Sequence, residues 1–199
     1  MNLSNTKRPK IRAFDLYEDT MAEYFDIITK DGKETGVKKE RNAVHTDGDW
    51  HKSVHIWAKE NNKILFQKRK EDKESFPSCY DAACTGHVDA GETYLQAAIR
   101  EVKEEIGLYI DEKNLLPVCK KHFCVNENFN GKHFVSNELT QIYLLKNCDF
   151  SSLSFQEEEI SELKWFDIAE LEKIIQSDKF CASYDELKII IGFANENNI

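Results

Sequence analysis

The sequence predicts an α/β fold in the form of an α/β/α sandwich with a mixed β-sheet. Segments with the alternation of β-strands outnumber those with helical periodicity, and the two kinds do not alternate regularly. The chain has 199 residues, 41% of them hydrophobic, which is enough for one sizeable core. We therefore expect one domain over residues 21–199, preceded by a polar tail over residues 1–20.

The first half of the chain predicts short strands joined by turns. Apolar residues alternate in segments that are separated by Asp, Asn and Gly, as is typical of strands and tight turns. The predicted strands are EYFDIIT and VKKER around an Asp31-Gly32 turn, then SVHIWAKE and ILFQKRK around Asn61-Asn62. The segment FPSCYDAACTGHVDAGE is predicted to be a loop-rich approach to a helix.

The helix that follows has clear local signals. Thr93 and Gln96 have capping-box spacing at its start, and Gly107 suits the position just past its end. One apolar stripe at about 100° per residue predicts the face that packs on the core. Its members are Leu95, Ala98, Ile99, Val102 and Ile106.

The second half of the chain predicts three more strands and two helices. Two of these strands are predicted over residues 117–126 and 138–146, with a turn or lid loop between them at 127–133. ISELKWFD is predicted to be a short strand that runs into a helix near residues 167–177. DELKIIIGFANENN closes the chain as an amphipathic helix.

Composition and the polar tail limit the classes of function. Residues 1–20 predict a disordered or loosely docked tail, and a native start at Met21 is left open. Because the chain shows no signal-type apolar stretch and no run of 18 apolar residues, we expect a cytoplasmic protein without a membrane span. The net charge of −9 argues against a surface for duplex nucleic acid, and a phosphate substrate would need metal or local basic groups. The oligomeric state, monomer or homodimer, is left open.

The six cysteines are expected to be free thiols, as is usual in a cytosolic protein. Two C-x4-C pairs, with histidines nearby, make a structural zinc site conceivable. Their spacing is looser than that of zinc ribbons, so we do not favour such a site.

Three carboxylates share one face of the helix that begins at Thr93. Glu101, Glu104 and Glu105 lie at positions i, i+3 and i+4, where like charges repel each other. A hard divalent cation would turn this repulsion into a binding site, because Mg²⁺ prefers carboxylate oxygens and substrate phosphates. The alternative for such a helix face is a solvated acidic surface.

The complete pattern around these carboxylates favours the metal site. Residues 86–108 match G-x5-E-x7-R-E-U-x-E-E-x-G-U, where U is aliphatic, without a mismatch. This pattern is the Nudix box, and the chain resembles the Nudix hydrolases, which cleave diphosphate linkages with a bound divalent metal. The resemblance implies a Nudix-type α/β/α sandwich, a small-molecule diphosphate substrate and Mg²⁺ as cofactor, with Mn²⁺ as the alternative.

The resemblance also implies roles for individual residues. Glu101 and Glu105 are the expected principal metal ligands, Glu104 is a further ligand or the general base, and Gly86 offers its backbone carbonyl. Glu138, on a later strand, is the best carboxylate outside the box. Glu92 and Arg100 are expected to form a supporting ion pair. Nudix enzymes differ in which glutamate acts as base, so the base is not assigned.

The similarity extends beyond the box to one branch of the superfamily. The order HTDGDWHKSVHIW, ILFQKR, CTGH and SNELTQIYLL resembles isopentenyl-diphosphate isomerase over most of residues 22–195. Those isomerases move a double bond with a cysteine and a glutamate, and hold a metal with three histidines and two glutamates. An isomerase is therefore the alternative function.

Two departures from the isomerase pattern favour a hydrolase. The isomerase cysteine directly precedes the box glycine, whereas Thr85 holds that position here and Cys84 comes one residue earlier. In a strand, this shift turns the side chain to the opposite face. The isomerase glutamate pair becomes Ser136 and Glu138, so one carboxylate is missing.

The histidines leave the metal question open. His87 matches the isomerase pattern, but His45 and His51 lie six residues apart instead of seven. A histidine in a strand or loop is more often hydrogen-bonded or exposed than bound to metal. For each of these three histidines, metal binding and a hydrogen-bonded or exposed position are therefore both left open.

The expected substrate is a nucleoside diphosphate linked to another group, or a nucleotide. Four aromatic residues are candidates for stacking on a base, and each suits a core position equally well; they are Trp57, Phe76, Phe123 and Phe129. The basic run Lys68, Arg69 and Lys70 is a candidate phosphate contact, with an exposed strand end as the alternative. A metal-free binding module is disfavoured because its acidic set would have no reason to be complete.

Overall fold

The computed structural model describes residues 22–73, 75–129 and 131–197; the predicted tail and Met21 lie outside this part. The strands within it are β1 (Tyr24–Ile28), β2 (Glu34–Glu40), β3 (Trp50–Glu60), β4 (Lys63–Arg69), β5 (Tyr80–Ala82), β6 (Cys84–His87), β7 (Leu115–Phe129), β8 (Lys132–Leu145) and β9 (Ile160–Asp167). The α-helices are α1 (Arg41–Asp47), α2 (Tyr94–Ile106), α3 (Ile168–Ile174) and α4 (Tyr184–Glu196). No helix in the described ranges is long and apolar enough to cross a membrane.

The main sheet is mixed, as predicted. Its strand order is β5-β4-β3-β8-β7, with β6 beside β3 and β9 beside β4. The central pair β3–β8 is parallel, and the other described pairs are antiparallel. Strands β1 and β2 form a separate hairpin around the predicted Asp31-Gly32 turn.

Helices cover both faces of the main sheet, which confirms the predicted sandwich. Because successive side chains of a strand point to opposite faces, β3 contributes to two cores. Ile56 belongs to the core beneath α2, together with Val102. Trp57 belongs to the core beneath α3 and α4, together with Leu171 and Leu187.

The sheet splits between β3 and β4, and this split positions the site. The described register of β3 with β4 covers only Ala58–Glu60. Nearer its start, β3 pairs with β6 instead, from Ser53 with His87 to Ile56 with Cys84. Strand β4 diverges to pair with β5 and β9, so the gap between β4 and β6 stays open.

Two predicted loops are in part strand. The approach to α2 contains β5 and β6, which are too short to show a strand period. The segment 127–133, predicted to be a turn or lid loop, belongs mainly to the hairpin of β7 and β8. Its register continues to Phe129 with Lys132, and the turn includes Gly131 at φ 79°. The strands continue because backbone pairing does not require the apolar alternation that sequence patterns detect.

Helix α1 was not predicted. It spans only seven residues, and the Glu40 carboxylate caps it by accepting hydrogen bonds from the backbone N–H groups of Asn42 and Ala43. Gly48, in the left-handed conformation, ends it. Glutamate is not a preferred N-cap residue, so the local signal is weak.

Candidate active site

A cavity of about 510 Å³ opens at the split in the sheet. Parts of β3, β6, α2, the β7–β8 hairpin and the segment before α4 line it. The predicted site residues that line it are Gly86, Arg100, Glu101, Glu104, Glu105 and Glu138. The structure thus brings residues from three separate elements to one cavity of a size that suits a small ligand.

The carboxylates of α2 are placed by the local signals predicted for this helix. Thr93 and Gln96 form the capping box, and Gly107 ends the helix at φ 70°. Glu101 and Glu105 are only 9% and 5% exposed, whereas Glu104 is exposed. The interpretation of a solvated acidic face therefore fails for Glu101 and Glu105.

Glu105 is fixed from two strands at the split. Its Oε2 accepts a hydrogen bond from the Thr85 backbone N–H at 2.9 Å and another from Gln67 Nε2 at 3.1 Å. Burial, together with the charge of Glu101, nevertheless raises its pKa well above the usual value. A bound cation would offset this cost, so the buried carboxylates fit a hard divalent metal.

Arg100 ties the loop before α2 to the helix, as the predicted ion pair requires. Its Nε and Nη2 donate to the two Glu92 oxygens at 3.1 and 3.0 Å, and Nη2 also donates to the His87 carbonyl at 3.0 Å. Nη1 donates to Glu101 Oε1 at 2.7 Å and to Glu104 Oε2 at 3.2 Å. Arg100 therefore orients two of the box carboxylates.

Gly86 lies directly against Glu101. A Cβ atom at Gly86 would be 2.0 Å from Glu101 Oε1 and 2.1 Å from Cδ. The absence of a side chain at this position leaves the space that the carboxylate occupies. This contact explains why the box has a glycine at position 86.

The histidines form a second group of potential ligands. His45 from α1, His51 from β3 and His87 from β6 each place a ring nitrogen within 4.8 Å of the other two. Phe25 stacks on the rings of His51 and His87, with ring centroids 5.2 and 4.7 Å apart. No other set of three His, Cys, Asp or Glu residues gathers so closely in the described part of the chain.

The protonation of these histidines suits a metal. Burial, with the charge of His87, lowers the pKa of His45 to about 3 and that of His51 to about 4. Their Nε2 atoms are buried without a hydrogen-bond partner among the described residues. Neutral imidazole nitrogens that lack other partners are good metal ligands.

Glu138 accompanies the histidines rather than the box carboxylates. Its Oε1 lies 3.7 Å from His87 Nε2 and 4.0 Å from His51 Nε2, and accepts a hydrogen bond from Ser136 Oγ at 2.6 Å. Burial opposes its charge, but these neighbours lower its pKa well below the usual value. Any metal that Glu138 binds would therefore be shared with the histidines.

Only some of the aromatic and basic candidates line the cavity. Trp57 is fully buried in the core, so the base-stacking interpretation of that residue is wrong. Phe76 and Phe123 line the cavity, and Phe129 packs on Phe76. Of the basic run, Arg69 lines the cavity.

Strand β6 places Thr85 and Cys84 on different sides. Thr85 lines the cavity, whereas Cys84 is fully buried in the core beneath α2. The one-residue shift therefore has the predicted effect. All six cysteines are free, and none belongs to a potential metal-binding group among the described residues.

Among the residues of the site that sequence reasoning missed are His55 and Glu186. His55 lines the cavity, and its Nδ1 contacts the Glu186 carboxylate of α4. A signal for His55 existed: His51, Ser53 and His55 alternate along β3, so their side chains share one face. Glu186 had no comparable signal.

Comparisons with known proteins identify the family of this chain. The NUDIX domain model matches residues 49–184. Nudix hydrolase 3 of Arabidopsis thaliana is 35% identical over 78% of this chain, which spans only 21% of that relative's length. An uncharacterized Nudix hydrolase of Listeria monocytogenes is 31% identical, over 79% of this chain and 88% of its own length.

Two further similarities concern the fold and the alternative function. The crystal structure of DR0079 from Deinococcus radiodurans has a TM-score of 0.61 at 20% identity, over 79% of this chain and 92% of that one. At this identity the likeness supports the fold alone. An isopentenyl-diphosphate delta-isomerase of Rhizobium rhizogenes is 26% identical over 81% of this chain and 78% of its own length.

Proposed function

The chain belongs to the Nudix family, and on that premise we propose that it is a metal-dependent hydrolase that cleaves the diphosphate linkage of a nucleoside diphosphate derivative or a nucleotide. One observation carries the proposal. Glu101 and Glu105 are buried at the wall of a cavity, with raised pKa values, in an arrangement that a cation would stabilise.

Each residue of the box has its own proposed role. We assign Glu101 and Glu105 as the principal metal ligands, with Glu104 and the Gly86 carbonyl as further ligands. A bound divalent metal, Mg²⁺ or Mn²⁺, would screen the phosphate charges and lower the pKa of the attacking water. One of the box glutamates takes the proton of that water. Arg100, anchored by Glu92, keeps Glu101 and Glu104 in place.

We propose that the three histidines, together with Glu138, form a second set of metal ligands, separate from the box carboxylates. Neutral imidazoles with one carboxylate, Glu138, suit a transition metal better than the all-oxygen box does. The proposed enzyme acts on a small molecule, and its cytoplasmic location remains a prediction.

The first prediction concerns metal dependence. Release of phosphate or of a nucleoside monophosphate, screened across nucleoside diphosphate compounds, should require Mg²⁺ or Mn²⁺ and stop when a chelator is added. The reason is that the box carboxylates repel an anionic substrate unless a cation lies between them. Re-addition of metal should restore turnover. Undiminished turnover in excess chelator would contradict the proposal.

An isomerase is the second candidate function, and the histidine group favours it. Three histidines and Glu138 meet near the cavity, as the resemblance to the isomerases implies. The position of the isomerase cysteine opposes it, because Thr85 faces the cavity and Cys84 is buried in the core. The two functions therefore differ in their need for Cys84.

The second prediction separates these two functions. Cys84→Ala should leave diphosphate hydrolysis largely intact, since the thiol only packs in the core and its loss leaves a small cavity. The exposed Cys124, changed to Ala, is the matched control. The purified protein should also fail to interconvert isopentenyl and dimethylallyl diphosphate. Isomerase turnover that disappears in Cys84→Ala alone would favour the isomerase.

A further inference from the structure

His55 occupies a distinctive place in the cavity wall. It lies on β3, in register with Thr85, whose backbone N–H holds Glu105. Its side chain is 17% exposed and lines the cavity, with the Phe123 ring centroid 4.8 Å from its own. His55 therefore lines the same cavity as the box carboxylates, one strand away from the backbone that holds Glu105.

The buried Glu186 holds His55 from behind. Glu186 lies in the first turn of α4 and is 1% exposed. His55 Nδ1 is 3.1 and 3.2 Å from its two oxygens, and Trp57 Nε1 donates to Oε1. A carboxylate this deep requires a positive partner, because an unpaired buried charge is strongly destabilising. Among the described residues, the His55 ring makes its hydrogen bonds through Nδ1 to Glu186, and the other ring nitrogen, Nε2, is left for a further contact.

The charge of His55 follows from this contact. Burial opposes a charged ring, but the charge of Glu186 and its hydrogen bond outweigh burial and raise the pKa of His55 to about 9. Asp81 of β5 and Glu138 of β8 act in the same direction from further away. At neutral pH the ring is a cation whose counter-ion lies on the side away from the cavity.

The other cations that line the cavity are each paired with a carboxylate or a carbonyl. Arg41 pairs with Glu23, Lys73 with Glu159, and Arg69 donates to the Ser75 carbonyl. Arg100 is bound to the box carboxylates, as described above. His55 differs because its partner is buried in the core and leaves Nε2 available.

We propose that His55 is a fixed cationic contact for a phosphate oxygen of the substrate, and that Glu186 is the positioning residue that orients its ring. Metal at the carboxylates would hold one part of the diphosphate, and His55 meets a second part. The inference rests on the proposed function in that it identifies the anion as the substrate's diphosphate. It also gives α4 a role in substrate binding.

A purely structural role would have different consequences. If the pair only ties α4 to the sheet, His55→Gln should change stability but not anion affinity in the folded protein. A contact to substrate should instead change affinity, because a charge-assisted hydrogen bond to phosphate is lost. Thermal unfolding of each variant separates these effects from loss of fold.

The experiment measures the binding of inorganic pyrophosphate by calorimetry with Mg²⁺ present. His55→Gln should weaken binding about tenfold, and KM for a hydrolysed substrate should rise about as much while kcat changes less than about threefold. His122→Gln is the matched control, since His122 lies on β7, exposed and bound to the Lys30 carbonyl. Unchanged pyrophosphate affinity in a folded His55→Gln would overturn the proposal.

The positioning role of Glu186 has its own readout. In wild type, His55 stays protonated from pH 6 to 8, below its raised pKa. Glu186→Gln removes the charge that raises this pKa while leaving an acceptor for Trp57. The ratio of wild-type to variant affinity should then grow as the pH rises from 6 to 8; a ratio that stays constant contradicts the positioning role. Taking the ratio cancels the titration of pyrophosphate itself.

Failure of this proposal differs from failure of the proposed function. If no diphosphate compound is hydrolysed but pyrophosphate affinity still depends on His55, the contact stands and the hydrolase does not. If hydrolysis is found but neither KM nor pyrophosphate affinity changes in His55→Gln, the hydrolase function is supported and the His55 contact is contradicted.

Discussion

Replacing Glu105 with Gln should lower the rate of diphosphate hydrolysis about a hundredfold or more, while the protein stays folded. Loss of one principal metal ligand corresponds to about 2.7 kcal/mol of barrier. The amide keeps the shape of the side chain and can still accept the hydrogen bond from the Thr85 N–H. Steady-state kinetics at saturating Mg²⁺ measures the effect.

Stability should move in the opposite direction to activity. The pKa of Glu105 is raised in the folded protein, so folding favours its protonated form and the ionised form costs stability as the pH rises above about 4.5. Without metal at pH 8, Glu105→Gln should therefore be at least as stable as wild type. Glu112→Gln, at an exposed position after α2, is the matched control. A folded Glu105→Gln that keeps most of its activity would show that Glu105 is not a principal ligand.

Gly86→Ala should have an activity loss of similar size, about a hundredfold. The added Cβ would lie 2.0 Å from Glu101 Oε1, and the three nearest atoms all belong to the Glu101 side chain. The carboxylate must move, whereas the backbone need not. We therefore expect the loss in kcat or in metal affinity, with a modest change in the thermal midpoint.

Gly192→Ala provides the matched control for this substitution. Gly192 lies within α4, and a Cβ there would meet nothing within 4 Å. In a helix interior, alanine is more favourable than glycine by up to about 1 kcal/mol. The control should thus keep its activity and gain stability. Full activity in Gly86→Ala would mean that the position of Glu101 does not matter for catalysis.

The helix that carries the box was predictable because its signals are local. The capping box of Thr93 and Gln96 and the terminal Gly107 act within one helix turn, and the shared face of Glu101 and Glu105 follows from helical spacing. The strand alternation likewise placed Cys84 and Thr85 on opposite sides of β6. Weak local signals explain the misses: β6 is four residues long, and α1 has an unusual cap.

The sequence by itself determined the family and the acidic set, since both depend on residues close along the chain, and the mixture of strand and helix patterns indicated the sandwich. Only the tertiary structure decided which distant residues join the site. His45, His51 and His87 meet because β6 pairs with β3, and α1 packs against β8, the parallel neighbour of β3. His55 and Glu186, 131 residues apart, meet because α4 packs on the sheet beneath the cavity. Such contacts depend on register and packing across the whole core, which no local pattern of residues encodes.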